Sequence, residues 1–415
     1  MEDFVGTSLW ETVPVKHLFG YRKEHNTGMK ESHRLALTMG GVIDRSLDDT
    51  DGLQSSDYGT YQIFEKGDLA FKLIDLQNIK TSRVGLVPRR GIMSSAYIRL
   101  SPRISSVLSE FYYWYFYGAY LGNIFNGLGG GIRQNLSQSE LLEFPVPDIS
   151  YEEQTAIANF LDRETARIDG LIEKKGRFIE LLKEKRAAVI THAVTKGIDA
   201  DVPMKDSGVE WIGQVPSHWD VRRIAALFRE AFRAPDPSLP VLSVSIHDGV
   251  TDGELSDEER DRKVALSEDR TKYQGVAPGD LVYNMMRAWQ GAFGAVQVDG
   301  LVSPAYVVAH PIAEFRTKFI EHLLHTKSAS EEIRRFSRGI ADFRMRLYWD
   351  HFRNLRVCLP SLEEQDEILA YIDRETARID GLISTTDRSI ELLKEKRSAL
   401  ITAAVTGKID VRSAA

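Results

Sequence analysis

DRETARIDGLI occupies Asp162–Ile172, and the same letters return at Asp373–Ile383, an offset of 211 residues. IELLKEKR repeats at that same offset, at Ile179–Arg186 and Ile390–Arg397. The flanks match as well. Pro147 with Glu152–Gln154 is answered by Pro360 with Glu363–Gln365, and an AVT-x-x-ID ending reaches Asp199 and Asp410. Separate blocks sharing one offset mark a duplicated unit rather than chance similarity. Fainter echoes lie between the blocks. Tyr61-Gln62 with Gly67-Asp68-Leu69 is answered by Tyr273-Gln274 with Gly279-Asp280-Leu281, and Trp10 with Leu18-Phe19 by Trp219 with Leu227-Phe228. Gly131-Ile132 is answered by Gly339-Ile340. The chain is two copies of one plan, each a variable globular part followed by a nearly invariant segment.

The invariant segment reads as a long helix. Glu152 to Val194 contains no Pro, and Leu161, Ile168, Leu182 and Val189 fall on a seven-residue period with Lys175 as a polar gap. Ile157, Leu171 and Phe178 supply a second row beside them. Such a narrow stripe is a coiled-coil seam, and the segment amounts to about 65 Å of helix. Gly170 and Gly176 weaken it locally. The second copy keeps the register with Ile372, Ile379, Leu393 and Leu400. Two matching seams in one chain most simply pack on each other, antiparallel if a twofold relates the halves. The globular parts read as mixed: TYQIFEKGDLAFKLI and KYQGVAPGDLVYNMM as strand, Gly-Asp turn, strand; Gly300–His310 as a strand; Phe315–Arg335 as a helix. The expected fold class is α+β: two mixed α/β domains separated by two long helices that form an antiparallel coiled coil, with a pseudo-twofold internal repeat. The expected boundaries are residues 1–145, a helical spacer and linker over 146–205, a second domain over 206–358, and a C-terminal helical spacer over 359–415.

The 415 residues carry 53 Lys+Arg against 60 Asp+Glu, a net charge of −7. Composition is that of a globular protein, which excludes wholesale disorder. Residues 1–145 net −1 and residues 220–358 net 0, so no basic signature announces a nucleic-acid partner. Cys358 is the single cysteine, which rules out an intramolecular disulfide and makes a reducing cytoplasm the expected compartment. Phe111–Ile132 lacks any charged residue, yet its Tyr, Asn and Gly content suits a buried helix and glycine loop better than a bilayer span. No membrane partner is expected.

Searches for chemistry return little. Gly127-Leu128-Gly129-Gly130-Gly131 continues Ile-Arg instead of Lys-Ser/Thr, so it does not cradle phosphate as a Walker loop does. There is no Pro-Pro of an amino-methyltransferase motif and no Gly-x-Ser-x-Gly. Pro147-Asp148 with Glu173-Lys174-Lys175 imitates a nuclease signature, but those charges belong to the helix surface. His322 and His325 stand at i and i+3 without a third ligand in view. No catalytic residue and no metal site are expected. What remains are side chains able to read base edges, since Arg forks onto guanine and Asn or Gln pairs with adenine. In the first domain these are Arg83, Arg89, Arg90, Arg133, Gln134 and Asn135. In the second they are Asn284, Arg287 and Gln290, with Arg338, Arg344 and Arg346 (Arg334 and Arg335 stand close by). Each arginine is equally readable as solvated charge or as one member of an ion pair, and Trp289 as core packing.

The layout resembles the specificity subunit of Type I restriction-modification enzymes. The likeness is carried by LPSLEEQ before the second helix, DRETARIDGLI and IELLKEKR in both copies, and KDSGVEWIGQVPSHWDV after the first. YNMMRAWQGAFG, GLVSPAYVV and FRMRLYWDHF add to it. The resemblance implies that 1–145 and 206–358 are target-recognition domains, each reading one half of a split, asymmetric sequence on double-stranded DNA. It implies that the helices are a ruler and a dock for two methyltransferase subunits, with two motor-nuclease subunits completing the restriction complex. This chain would hold no cofactor: S-adenosylmethionine belongs to the methyltransferase partner, and ATP and Mg to the motor-nuclease. GIRQNLS in one half against GIADFRMRLYW in the other implies that the two domains read different sequences. Two rival readings are a coiled-coil scaffold with protein-binding end domains and a stand-alone regulatory DNA binder.

Overall fold

The computed structural model describes residues 4, 10–49, 57–74, 76, 82–128, 135–246, 249–251, 270–339 and 345–414. They form two compact units, one of Met1–Gly176 with Asp387–Ala415 and one of Arg177–Thr386. Each unit holds one globular domain, a stretch of the first long helix (Tyr151–Lys196) and a stretch of the second (Leu362–Val405). This division cuts across the four segments expected from sequence. Among the described residues no helix is long and apolar enough to cross a membrane.

In the first unit, the Gly-Asp turn sends its two flanking strands to different sheets. Gln62–Phe64 pairs with Gly91–Met93, in a sheet with Arg34–Thr38 and Gly41–Arg45. Leu69–Phe71 lies between Val84–Leu86 and Ile98–Pro102, with Phe19–Tyr21 at the edge. The turn itself explains the repeated dipeptide. Gly67 sits at φ +86°, and the buried Asp68 carboxylate accepts from the Glu65 N–H, Arg99 Nε at 2.5 Å and Ser101 Oγ at 2.6 Å. The charge-free stretch begins in a buried aromatic helix, Ser109–Leu121, and its Gly129–Gly131 lie outside the described residues. Its Phe111, Tyr115 and Phe116 share one core with Ile157 and Leu161 of the first long helix and with Ile401, Ala404 and Val405 of the second.

The second unit repeats this plan. Its main sheet runs Phe228–Glu230, Tyr306–Pro311, Leu281–Asn284, Phe293–Ala295, all antiparallel. Gly279 is at φ +91°, and the buried Asp280 accepts from the Ala277 N–H and pairs with His310 Nδ1 at 2.8 Å and Arg233 Nη1 at 3.1 Å. Two sequence expectations are corrected here. Gly300–His310 holds two strands, Gly300–Val302 and Tyr306–Pro311. Phe315–Arg335 is two helices, Thr317–Leu324 and Lys327–Phe336, because Thr326 caps the second with its hydroxyl on the Ala329 N–H.

Both long helices are continuous, 46 and 44 residues, and Gly170 and Gly176 do not interrupt the first. They run antiparallel within each unit. In the first unit Arg397 Nε meets Asp169 Oδ1 at 2.8 Å, while earlier residues of the first helix (Ile157, Leu161) meet later residues of the second (Ile401, Val405). In the second unit Arg186 Nε meets Asp380 Oδ1 at 3.0 Å, while Ala193 and Val194 share a core with Ile368 and Ile372. The two ion pairs are one pair, in IDGLI and KEKR, made twice. Leu161, Ile168, Leu182, Ile372 and Ile379 are buried in the seam as expected, and Val189, Leu393 and Leu400 are half-buried. The second row differs from expectation: Thr165, Ile172, Ile179 and Ala193 line it, whereas Leu171 and Phe178 face outward. Alternating steps of three and four follow the helical period, so a position one residue short of the row is turned away. Each helix ends at a glycine in the left-handed region, Gly197 at φ +75° and Gly407 at φ +77°. The repeated tryptophans pack on these ends, Trp219 on Gly197 and Trp10 on Gly407.

Candidate nucleic-acid interface

In the second unit the strand Leu281–Asn284 delivers a loop held by its own polar groups. Asn284 is buried, and its Oδ1 accepts the Met286 N–H at 3.0 Å, so it shapes the loop from beneath. Gly291 at φ +99° turns the chain back. Above this base Arg287 Nε donates to Gln290 Oε1 at 3.0 Å, and Trp289 Nε1 donates to the Met286 carbonyl. The Arg334 guanidinium covers the Trp289 ring, 5.3 Å from its centre, which makes that tryptophan a floor for an arginine. Leu347 N–H reaches the Met285 carbonyl at 2.8 Å, and Arg338 and Arg346 exchange two backbone hydrogen bonds of 2.9 Å. Arg287, Gln290, Arg338 and Arg346 therefore belong to one neighbourhood. Arg338 and Arg346 are exposed, and neither meets a carboxylate among the described residues. Exposed Tyr348 adds an aromatic edge that sequence reading missed. Arg344 lies outside the described residues.

The first unit gathers no such face among its described residues. Arg83 is 1% exposed and donates from Nη2 to the Leu76 carbonyl at 2.8 Å, so it serves the interior rather than a surface. Arg89 pairs with Asp44 at 2.7 Å, and Arg90 pairs with Glu31 at 3.3 Å and with Glu65. The Glu31 carboxyl is held below the usual carboxylate range, chiefly by the His33 backbone N–H, with Arg90 assisting against burial. Asn135 is exposed. Arg133 and Gln134 lie outside the described residues.

His322 and His325 stand in different surroundings. His325 Nε2 is hydrogen-bonded to the Phe293 carbonyl at 2.9 Å. His322 Nε2 is buried without a hydrogen-bond partner among the described residues, and burial first, then Lys318, His325 and Arg186, lowers its titration to about 3. Positive neighbours repel a cation, and no cluster of three ligating groups occurs among the described residues.

The helices present a second kind of surface. In the first unit exposed Leu171 lies two residues beyond Asp169, and exposed Leu392 lies five before Arg397. In the second unit exposed Leu382 lies two beyond Asp380, and exposed Leu181 lies five before Arg186. The same pair of outward leucines accompanies each ion pair. The seven-residue period places Leu171 in the seam and leaves the other three unmarked, although the repeat keeps both pairs.

Residues 8–180 match the family model of the Type I restriction modification DNA specificity domain. The chain is also similar in fold to a chain from a structure on complex assembly and conformational transition of the type I R-M system. That match has 14% identity, 96% of this chain, 98% of the other and a TM-score of 0.61. It is similar again to the HsdS subunit from Thermoanaerobacter tengcongensis, with 13% identity, 96% and 97% coverage and a TM-score of 0.54.

Proposed function

We propose that this chain, whose residues 8–180 match the family model of the Type I restriction modification DNA specificity domain, is the specificity subunit of a Type I restriction-modification complex. Its partners are double-stranded DNA, two methyltransferase subunits and two motor-nuclease subunits. One observation carries the reading: two globular domains of dissimilar sequence each adjoin long helices in which DRETARIDGLI and IELLKEKR repeat letter for letter. A device that must read two different half-sites through identical docking needs that division of constant and variable parts.

The second domain supports base reading most directly. Arg287, Gln290, Arg338 and Arg346 offer guanidinium forks and a side-chain amide of the kind that match guanine and adenine edges in the major groove. The zero net charge of residues 220–358 is compatible with DNA affinity if arginines such as Arg338 and Arg346 meet the phosphates, where each can release counterions. In the first domain the segment around Arg133 and Gln134 is proposed to play the corresponding part, since Arg89 and Arg90 already hold carboxylates. The leucine pairs, one per unit, supply an apolar seat for each methyltransferase. Bond-making is assigned to the partners. The methyltransferase carries S-adenosylmethionine and works on an adenine turned out of the stack, and the motor-nuclease uses ATP and Mg.

The test is co-expression with the cognate methyltransferase subunit, followed by genome-wide mapping of modified adenines. A two-part asymmetric motif with a fixed gap is expected. Absence of any sequence-dependent modification would favour the scaffold reading.

A further inference from the structure

Each long helix opens with the same Glu-Glu-Gln, and the glutamine is buried in both copies: Gln154 and Gln365 are each 2% exposed. Gln154 Oε1 accepts the Leu108 N–H at 2.8 Å, and its Nε2 donates to the carbonyls of Ser106 at 3.0 Å and Ile149 at 2.9 Å. Leu108 is the residue before the aromatic helix Ser109–Leu121, a helix start without a side-chain cap of its own. In the second copy Gln365 Oε1 accepts the Arg316 N–H at 2.7 Å, and its Nε2 donates to the Pro360 carbonyl at 3.0 Å. Arg316 likewise precedes an uncapped helix, Thr317–Leu324. One amide thus ties together three things: the first turn of a long helix, the chain entering it, and the helix start inside the globular domain.

We propose that Gln154 and Gln365 are positioning residues that fix the angle at which each domain leaves its long helix, and thereby set the gap tolerated between half-sites. This rests on the reading of the chain as a DNA specificity subunit. Other polar ties lie nearer solvent: Trp114 Nε1 donates to Asp162 Oδ1 at 2.8 Å in the first unit, and in the second Trp219 Nε1 donates to Glu364 Oε1 at 3.0 Å and Arg316 pairs with the half-exposed Asp366. The buried remainder of the contact is apolar, through residues such as Phe111 and Ile157 in the first unit and Phe319 and Ile368 in the second. Apolar burial is non-directional, so it accommodates a small rotation at little cost. A buried amide does not, because any other arrangement strands its donors and acceptor away from water. A single buried amide fixes register in coiled coils for the same reason. A small rotation at the base of a domain is magnified at its reading face, and one base pair is a rise of only about 3.4 Å.

The experiment uses Gln154→Met and Gln365→Met, separately, in the full chain co-expressed with its methyltransferase subunit. Met keeps the length and the packing while removing every polar bond. Modified adenines are mapped, scoring half-site letters and gap length. The expected result is unchanged letters, with sites one base pair longer or shorter rising about threefold or more relative to the native gap, the scale of one net hydrogen bond. Gln154→Glu, neutral in so buried a place, keeps the acceptor for Leu108 and one of the two donated bonds, so it should broaden the gap less and serves if a Met variant fails to accumulate. A uniform fall in modification with the gap ratio unchanged in these variants is the mark of a merely structural residue and overturns the proposal. A parent complex that modifies no two-part sequence overturns the functional reading, and this inference with it, before any variant is compared.

Discussion

Arg338 and Arg346 sit side by side across a backbone bridge, exposed and without a carboxylate among the described residues, whereas Arg89 and Arg90 are each held by one or two acids. An exposed pair contributes little stability, about 0–1 kcal/mol, but it does occupy the guanidinium. Arg338→Ala and Arg346→Ala should therefore each relax one position of one half-site by about 1–3 kcal/mol, while Arg89→Ala leaves the motif unchanged. Methylation of single-base variants of each half-site measures this, and an Arg346→Ala complex with unaltered specificity would return that residue to plain solvated charge. His322 makes a different prediction. Its imidazole titrates at about 3 in the fold, against 6.5 for the free group. Between those values the unfolded chain binds a proton that the folded unit refuses, so stability falls as pH drops below about 6.5. His322→Leu should lessen that slope, gaining about 1–2 kcal/mol relative to the parent on moving from pH 8 to pH 5. A difference independent of pH, measured by denaturant unfolding, would mean that the ring is solvated.

At the scale of elements, the long helices were the most legible part of the sequence and the interface loops the least. Duplication exposed the helices before any periodicity was counted, and a period of seven then gave half the seam correctly. The other half was misassigned because Leu171 and Phe178 are apolar yet outward, while Thr165 is polar yet buried in the seam. Hydrophobicity alone cannot separate a seam from a dock on one helix. Arg83 and Asn284 turn inward, which is hidden for a related reason: a polar letter beside a strand does not say whether its partners are protein or solvent, and both here bond backbone groups. The outward leucines make the dock testable. Leu171→Glu with Leu392→Glu should leave folding intact, since both side chains are exposed, and should cost one methyltransferase subunit of two. Native mass spectrometry of the purified complex reads the count directly. A complex that keeps both subunits would move the dock elsewhere.

For the whole molecule, the topology of the units constrains how a ruler could be lengthened. Each unit contains a stretch of both long helices, and the chain passes between units at residues 176–177 and again at 386–387. Adding residues at only one crossing lengthens one connection and not the other. The Asp169–Arg397 and Arg186–Asp380 pairs could then not both keep their register. Four residues added between Gly176 and Ile179, matched by four between Asp387 and Ile390, lengthen both connections by about 6 Å. With a rise of roughly 3.4 Å per base pair, the gap between half-sites should grow by one or two base pairs, and the half-site letters should stay as they are. The insertion in the first helix alone should lower modification sharply, and two residues in both helices should do worse, because they rotate the seam by about 200°. Mapping modified adenines in cells carrying each variant separates these outcomes. If the doubly lengthened chain kept the parent gap at full activity, the helices would not set the spacing, and the distance between half-sites would have to be fixed by the partner subunits instead.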